Sequence, residues 1–426
     1  MNLEHKGTVS VPSRTSSSLK KCLDALSIKV RWNDSRFTIE YSHNGSKWRD
    51  LTKNWDSVII DYLEENFSHK PSKKGPKKPL KYNQKDFRIA LESLASKNTV
   101  NIPQDYINSF QDEAAKLTVA EAEKTLQDCL ATALGVDMSW EINRWSAAAL
   151  WVGVVERTLE PGIPQRIIPV ILGGQNLGKS SAVAAMLPKE LADYTCSQLD
   201  IFGDKQRFVD DIRGIMLAEC AELVGATKAD ARNFKARIGP GSDRHRLLYT
   251  PNPVNIPRTV YIIGTANGGD GESPYPEDST GTTRFVPIQV GVTQEELRAG
   301  REPSYDVITR MRDKCWAAAF CLYKSGFSAA FLPRELVDEQ EQMNQQYIRK
   351  EESLTEVVTQ WLERTQWEGD VPLAQVIEVM GLDRYGFNWR NNMVKKQLKD
   401  SLLATGVVKS FKRRVNHQEH ILWRCV

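Results

Sequence analysis

The sequence has 426 residues, a formal net charge of +3, 41% hydrophobic residues and 26% charged residues. This length favours roughly two to four domains, and the near-neutral charge excludes a surface that is basic throughout, so any contact with nucleic acid must come from local clusters. Seven cysteines, an odd number without a C-x-x-C pair, disfavour a zinc site or a disulfide framework. The sequence shows no signal-peptide core and no apolar run of membrane length, which predicts a cytoplasmic protein.

Residues 1–68 have the pattern of a small α+β domain. A short helix is expected over residues 18–26, β-forming side chains follow over residues 29–41, and Asn44-Gly45 is a turn signal. A second helix is expected over residues 58–67.

A basic linker is expected over residues 69–82. Its six lysines stand among three prolines and a glycine, a composition that favours neither a helix nor a buried strand. The linker would be exposed, and it would serve either as a solvated tether or as an arm that contacts phosphate.

Helical periodicity dominates residues 83–160, which we interpret as a helical collar domain. Apolar residues recur there at i, i+3 and i+4. Helices are expected over residues 86–95, 114–134 and 145–159.

The pattern changes at residue 167. Residues 167–172 are almost all apolar, as in a strand that is buried on both faces. Apolar strands then alternate with helices as far as residue 290, which predicts a parallel sheet within a domain over residues 161–350.

Residues 351–426 are expected to form a C-terminal domain of short helices followed by a small hairpin. This order favours a winged-helix module, although a capping domain with a solvated basic face would give the same pattern. In the first interpretation, the start of the wing carries Lys409, Lys412, Arg413 and Arg414.

The glycine-rich loop, residues 173–180, reads Gly-Gly-Gln-Asn-Leu-Gly-Lys-Ser and matches the P-loop pattern G-x-x-x-x-G-K-[ST]. Glycines let backbone N–H groups turn toward phosphate oxygens, the lysine reaches the β- and γ-phosphates, and the serine hydroxyl is a magnesium ligand. The loop follows a predicted strand and precedes a helix predicted over residues 181–186, whose positive end adds to the site. ATP and Mg²⁺ are therefore expected to bind at Gly173, Gly174, Gln175, Asn176, Leu177, Gly178, Lys179, Ser180 and Ser181.

Phosphoryl transfer also needs a carboxylate near the metal and its waters. A strand predicted over residues 215–219 ends in Glu219, which it would carry to the carboxyl edge of the sheet, and Glu222 follows three residues later. We expect Glu219 to ligate the metal with Ser180. Which glutamate holds a metal-bound water and which polarises the attacking water stays open, and both would otherwise be ordinary acids at a helix start.

Two more candidate catalytic residues follow a third strand, predicted over residues 259–264. Asn267 comes just beyond this strand, where a side-chain amide would hold the γ-phosphate or the attacking water, although Asn is also common in turns. Arg284 follows a Thr-rich turn and would stabilise transition-state charge as an arginine finger; the alternative is a surface arginine.

A basic segment over residues 228–258 separates the acidic strand from the Asn267 strand, and Tyr249 stands among its cations. These side chains would track a phosphate backbone, or they would belong to a solvated linker. The residues expected to contact DNA are Lys228, Lys235, Arg237, Arg244, His245, Arg246 and Arg258.

The order of these motifs resembles the virulence-associated protein E family of phage and prophage proteins, which is similar to superfamily-3 helicases and to the primase-helicases of mobile elements. The resemblance covers about residues 80–330. The stretches that carry it are Pro161-Gly162, the glycine-rich loop, Glu219-Cys220-Ala221-Glu222-Leu223, Lys228-Ala229-Asp230, Phe234-Lys235, Ser242-Asp243-Arg244-His245-Arg246, Tyr249, Pro257-Arg258, Gly264-Thr265-Ala266-Asn267 and Asp278-Ser279-Thr280-Gly281-Thr282-Thr283-Arg284-Phe285.

This resemblance implies an α/β fold with an AAA+-like P-loop core and a helical collar before it. It also implies a ring, expected to be a hexamer, in which each subunit presents Arg284 to its neighbour's ATP. Asn267 would be the polar sensor, and basic loops would line a central pore around DNA. The sequence departs from the family at Thr283, where relatives often carry a first arginine, and in a longer Gly-rich insertion over residues 268–276.

The function expected from these motifs is an ATP-dependent DNA helicase or replication initiator of a phage, prophage or satellite element, acting in the cytoplasm of a bacterial host. It would act on single-stranded or forked DNA. The N-terminal part is too short for the primase domain of many relatives, so a separate primase or phage replication protein is the expected partner. The alternatives are a DNA-stimulated ATPase that loads or remodels another replication protein, and a regulator switched by nucleotide binding without hydrolysis.

Overall fold

The computed structural model describes residues 9–11, 13–51, 54–70, 75–201, 203–221, 236–245, 253–267, 284–345, 371–372, 398–399, 402, 408–415 and 418–425. The chain divides into two compact units, Met1–Ile348 and Arg349–Val426. Among the helices of the described residues, none has both the length and the apolarity that crossing a bilayer requires.

An α+β module of two small sheets and three helices, the N-terminal module (residues 9–100), opens the first unit. Thr15 caps the first helix by accepting a hydrogen bond from the Ser18 N–H, and the helices expected near residues 18–26 and 58–67 are present. The sheets have the strand orders β4-β3-β2-β7 and β1-β5-β6. The elements are β1 Val9–Val11, α1 Ser16–Ala25, β2 Ile28–Asn33, β3 Thr38–His43, β4 Arg49–Asp50, α2 Trp55–Asn66, β5 Phe67–His69, β6 Lys78–Pro79, α3 Gln84–Ala95 and β7 Thr99–Val100.

The core of this module extends further along the chain than the sequence pattern indicated. Leu80 and Tyr82, from the expected linker, are buried in it, and Phe87 of α3 is fully buried beside them. β6 pairs with β5, and β7 pairs with β2. The described end of the linker is therefore anchored by apolar side chains, and α3 shares a core with α1 and α2.

Helices of the middle region form a second layer. Thr118 and Glu121 form a capping box, in which each side chain accepts from the other residue's backbone N–H, and this fixes the start of a helix at Val119. The prediction of one continuous helix over residues 114–134 was therefore wrong at its start. The helices are α4 Ile102–Asn108, α5 Gln111–Ala114, α6 Val119–Leu134 and α7 Glu141–Leu159.

A five-stranded sheet with the order β14-β8-β13-β10-β9 forms the centre of the unit, and each of its described strand pairs is parallel, as expected. β8 is buried on both faces: Ile171 packs with the helical layer, whereas Val170 and Leu172 pack into a separate core on the other face. The strands are β8 Ile168–Gly173, β9 Thr195–Cys196, β10 Leu217–Ala221, β13 Tyr261–Asn267 and β14 Phe285–Gln289.

Helices cover both faces of this sheet. The Trp316 ring packs edge-on against Trp151 of α7, with centroids 4.8 Å apart, and this contact joins the later helices to the collar helices. The remaining helices among the unit's described residues are α8 Lys179–Ala185, α9 Lys205–Ile212, α10 Gln294–Arg298, α11 Ser304–Lys324 and α12 Val337–Gln345, with 3₁₀ turns at Lys189–Tyr194 and Arg334–Leu336.

A short antiparallel hairpin, β11 Ser242–His245 and β12 Val254–Pro257, lies between β10 and β13 in the chain. The open end of the hairpin, at Gly241 and Arg258, lies against Gly162. The Gly162 N–H donates to the Arg258 carbonyl, and the Arg258 N–H donates to the Gly241 carbonyl. A Cβ at Gly241 would lie 2.0 Å from the Gly162 oxygen. Glycine at this position therefore permits the hairpin to approach the main body of the unit.

The second unit contains a three-stranded antiparallel sheet with the order β15-β17-β16, formed by β15 Val371–Pro372, β16 Val408–Val415 and β17 Gln418–Cys425. The expected hairpin is thus present as β16 and β17. Lys409, Lys412, Arg413 and Arg414 lie on β16. The short helices predicted before the hairpin fall mostly outside the described residues, so the winged-helix interpretation stays a prediction.

Candidate nucleotide site

A cavity of about 370 Å³ opens where the glycine-rich loop leaves the sheet. The loop joins β8 to α8, and Asn176 and Gly178 adopt left-handed backbone conformations with φ of 60° and 79°. The exposed residues 174–176 leave the loop accessible from the cavity. The cavity is lined by residues 175–181, Ala221, Thr265, Ala266 and Asn267.

Lys179 is folded back into this loop. Only 8% of the residue is exposed, and its Nζ donates to the carbonyls of Gly173 (3.0 Å) and Gly174 (2.7 Å) and to Oδ1 of Asn267 (3.0 Å). Burial lowers the pKa of Lys179, whereas the Glu219 carboxylate raises it. The ammonium group therefore has three protein acceptors, each of which a phosphate oxygen could replace.

Glu219 lies in the middle of β10 and is 4% exposed. The predicted strand over residues 215–219 was wrong at both ends, because pairing with β13 continues to Ala221, opposite Thr265. The Thr265 hydroxyl, which is also buried, donates to the Glu219 carboxylate at 2.7 Å. The carboxylate is therefore held at a fixed position beside the Lys179 ammonium.

Asn267 is the last residue of β13 rather than part of a turn. It lies opposite Gly173 in the parallel pairing of β13 and β8. This register places its amide at the loop and explains the hydrogen bond with Lys179. The structure thus brings together Lys179, Glu219 and Asn267, which the sequence suggested separately.

Ser180 and Ser181 are exposed in the first turn of α8, which begins at Lys179 rather than at residue 181 as predicted. Among the described residues there is no group of three or more His, Cys, Asp or Glu side chains that would hold a metal unaided. A magnesium ion here would therefore need water and phosphate oxygens beside Ser180 and Glu219, which is the usual way this ion binds. Glu222 lies outside the described residues.

Two long-range contacts hold the loop from outside. The buried Ser304 hydroxyl at the start of α11 donates to the Gly178 carbonyl at 2.7 Å. Gln294 of α10 donates through Nε2 to the Gln175 carbonyl at 3.0 Å. The loop shape therefore depends on helices more than 100 residues further along the chain.

Arg284 lies at the amino ends of the strands, whereas the glycine-rich loop lies at their carboxyl ends. It directly precedes β14, whose first residue, Phe285, pairs with Ile168 at the start of β8, whereas the glycine-rich loop follows the end of β8. The five residue steps from Ile168 to Gly173 span about 17 Å. Within one chain, the structure does not bring Arg284 to the cavity.

Comparison with known proteins decides the family. The virulence-associated protein E-like domain matches residues 115–349, more than half of the chain. This chain belongs to that family.

Solved structures similar to this family member include three proteins. The NrS-1 C-terminal region is 13% identical, with a TM-score of 0.42, and the match covers 99% of this chain and 100% of that chain. JCV helicase is 15% identical, with a TM-score of 0.24, and the match covers 64% of this chain and 78% of that chain. Cch of SCCmec type IV, an active helicase, is 12% identical, with a TM-score of 0.29, and the match covers 94% of this chain and 93% of that chain. No curated protein matches the chain.

Two of the arginines predicted to contact DNA in this family member form hydrogen bonds within the fold. Arg258 is 7% exposed and binds both carboxylate oxygens of Asp243, at 2.5 and 2.7 Å. Arg237 donates to the carbonyls of Ile201 (2.8 Å) and Gly203 (2.5 Å). Both guanidinium groups therefore have partners within the fold, and their contact with DNA stays a prediction.

The remaining predicted contacts differ in their placement. Arg244 is exposed on β11, and His245 is the last residue of that strand. Lys228, Lys235 and Arg246 lie outside the described residues.

Proposed function

We propose that this family member is a ring-forming, DNA-dependent ATPase of the helicase type. The observation that carries the proposal is the position of Lys179 and Asn267 in the lining of one cavity beside the glycine-rich loop. The buried Glu219 accepts from Thr265 of the same lining, and its charge acts on Lys179. An ammonium, a buried carboxylate and an amide are the groups that bind a triphosphate, activate water and sense the γ-phosphate.

ATP would bind with its phosphates against the loop backbone. Lys179 would exchange its three protein acceptors for phosphate oxygens, and Asn267 would then be released to contact the γ-phosphate or the attacking water. Ser180 and Glu219 would hold magnesium and its waters, and the ion would neutralise charge on the phosphates.

Hydrolysis would join a water oxygen to the γ-phosphorus. The bond from that phosphorus to the bridging oxygen would break with its electron pair left on ADP, and the water's proton would pass to a base. Either Glu219 or Glu222 would be that base, and the hydrogen bond from Thr265 supports Glu219 as a group held in one position.

The position of Arg284 supports action between subunits. Since it lies at the sheet edge opposite its own loop, it would reach ATP only in a neighbouring copy, as a ring arrangement provides. In such a ring, the hairpin of β11 and β12 with Arg244 would contact a DNA strand, and hydrolysis would drive translocation on that strand. The setting would be replication of a phage, prophage or satellite element in a bacterial cytoplasm, with a separate primase or replication protein.

The test compares ATP binding, ATP hydrolysis and fork unwinding in wild type, Lys179→Ala and Lys189→Ala. Lys189 is an exposed lysine on the 3₁₀ turn, so its replacement is the matched control. We expect Lys179→Ala to lower hydrolysis at least a hundredfold and to abolish unwinding, because one preorganised contact to transferring charge contributes about 10²–10³ in rate. Equal hydrolysis by Lys179→Ala and wild type would refute the site, and hydrolysis without unwinding would favour a loader or remodeller.

A further inference from the structure

Arg166 and Arg284 are neighbours at the amino edge of the sheet. Phe285 of β14 pairs with Ile168 of β8, so the positions just before the two strands, Arg284 and residue 167, also lie side by side, and Arg166 is one residue further. The Arg166 backbone N–H donates to the Ala330 carbonyl at 3.0 Å, which fixes the chain at this point. The Arg166 side chain is exposed, and Arg284 is half-buried.

The charges of these two arginines act on each other. Burial lowers the pKa of Arg284, and the positive charge of Arg166 lowers it further. A multiply charged anion placed against both arginines would be attracted by both positive charges.

Arg166 differs in one respect from the other arginines of this edge. Arg258 is paired with Asp243, and Arg157 donates to the carbonyls of Val260 and Ile163. In the part of the chain that the structure describes, Arg166 has neither an ion pair with a carboxylate nor a side-chain hydrogen bond. Arg157 and Arg258 therefore serve the fold, whereas no such contact holds the Arg166 side chain among the described residues.

We propose that Arg166 acts with Arg284 as a second arginine of the nucleotide site that one subunit completes for the next. This inference rests on the proposed function, in which Arg284 acts on ATP bound by a neighbour. The ligand of the pair is the triphosphate of that ATP. Neither arginine forms a covalent bond or transfers a proton. Both planar guanidinium groups bind phosphate oxygens and stabilise the charge that develops as the γ-phosphoryl group moves to water.

The experiment measures kcat for ATP hydrolysis and the affinity for a non-hydrolysable ATP analogue in the full chain, with DNA present. The variants are Arg166→Ala, Arg166→Lys, Arg284→Ala and Arg207→Ala. Arg207 is the matched control, since its side chain is 75% exposed on α9 and pairs with Asp211 of the same helix.

We expect Arg166→Ala to lower kcat at least tenfold, which corresponds to about 1.4 kcal/mol of transition-state stabilisation, with analogue affinity changed less than about threefold. Arg166→Lys should retain part of the rate because it keeps the charge but not the fork. Arg207→Ala should match wild type. Mixing Arg166→Ala with Lys179→Ala subunits should give more hydrolysis than the sum of the two alone, because some interfaces then hold both intact residues.

A rate for Arg166→Ala equal to that of wild type would overturn the inference while leaving the proposed function in place, above all if Arg284→Ala were inactive. Merely additive rates in the mixture would overturn the assignment of Arg166 to a neighbour's site. A wild type that binds but does not hydrolyse ATP would instead overturn the proposed function, and this inference with it.

Discussion

The Thr265 hydroxyl holds the central carboxylate of the candidate site. Glu219 is buried in the interior of a strand, and the Thr265 hydroxyl donates to it at 2.7 Å. A buried carboxylate oxygen that loses its donor bears an unmet desolvation cost of about 1–3 kcal/mol. Thr265 is therefore a positioning residue, and its effect on hydrolysis would pass through Glu219.

We predict that Thr265→Val lowers kcat for ATP hydrolysis about tenfold with little change in KM, because valine keeps the shape of threonine but cannot donate. Thr265→Ser, which keeps the hydroxyl, should restore most of the rate. Steady-state kinetics of the two variants provide the measurement, and thermal melting checks that both remain folded. Equal rates for valine and serine would show that the hydrogen bond has no catalytic effect.

Some residues of this site could be predicted from the sequence, and others could not. The glycine-rich loop is a local pattern, so Lys179 and its neighbours could be found directly. Thr265 was missed, although it precedes Asn267 by two residues on the same strand and so shares its face. Ser304 had no local signal, because its contact with Gly178 spans 126 residues.

The glycine-rich loop is shaped by packing as much as by its glycines. Gly178 has φ of 79°, and a Cβ there would lie 2.3 Å from the Ser304 Oγ. The same hydroxyl donates to the Gly178 carbonyl. The start of α11 therefore leaves space for glycine alone at this position.

We predict that Gly178→Ala abolishes binding of an ATP analogue, because the methyl group displaces Ser304 and the loop together. Gly300→Ala is the control: Gly300 also has a positive φ, 97°, but a Cβ there meets no atom within 4 Å. Both variants carry backbone strain of about 1–2 kcal/mol, but only the methyl group at Gly178 would meet a side chain, and only Gly178 lines the cavity. Analogue binding measured by calorimetry should be lost in the first variant and kept in the second; loss in both would assign the effect to strain.

Some features of the helices and strands have a local signal in the sequence, whereas others depend on contacts between distant residues. The parallel sheet and the helices could be predicted from hydrophobic periodicity. The start of α6 also has a local signal, because Thr118 and Glu121 have the spacing of a capping box. The packing of α3 and Leu80 in the core of the N-terminal module could not be predicted from the sequence. Hydrophobic spacing shows that a helix face is buried, but it does not show which element covers that face.

At the scale of the whole first unit, the N-terminal module is joined to the sheet by polar contacts. Asn33 donates to the Tyr194 hydroxyl at 2.8 Å and to Glu40 at 2.7 Å, in a buried group that also includes Arg31. The Tyr194 carbonyl in turn accepts from the N–H of Met216, just before β10. The module therefore rests directly beside the strand that carries Glu219.

We predict that Tyr194→Phe destabilises the first unit by about 1 kcal/mol, because one donor of the buried Asn33 amide loses its acceptor. Tyr305→Phe is the matched control, since Tyr305 is 38% exposed. Thermal unfolding of both variants should show a lower midpoint for Tyr194→Phe alone. Identical midpoints would mean that the contact contributes nothing to the docking of the module.

The length of β8 has a consequence for stoichiometry. If the loop at one end of this strand and the arginines at the other serve different nucleotides, each chain contributes half of two sites and contains no complete one. A lone chain then has zero working sites, an open row of chains always has one fewer than its number of chains, and only a closed ring has as many sites as chains. Turnover per chain would consequently rise with protein concentration and fall on dilution, even at saturating ATP.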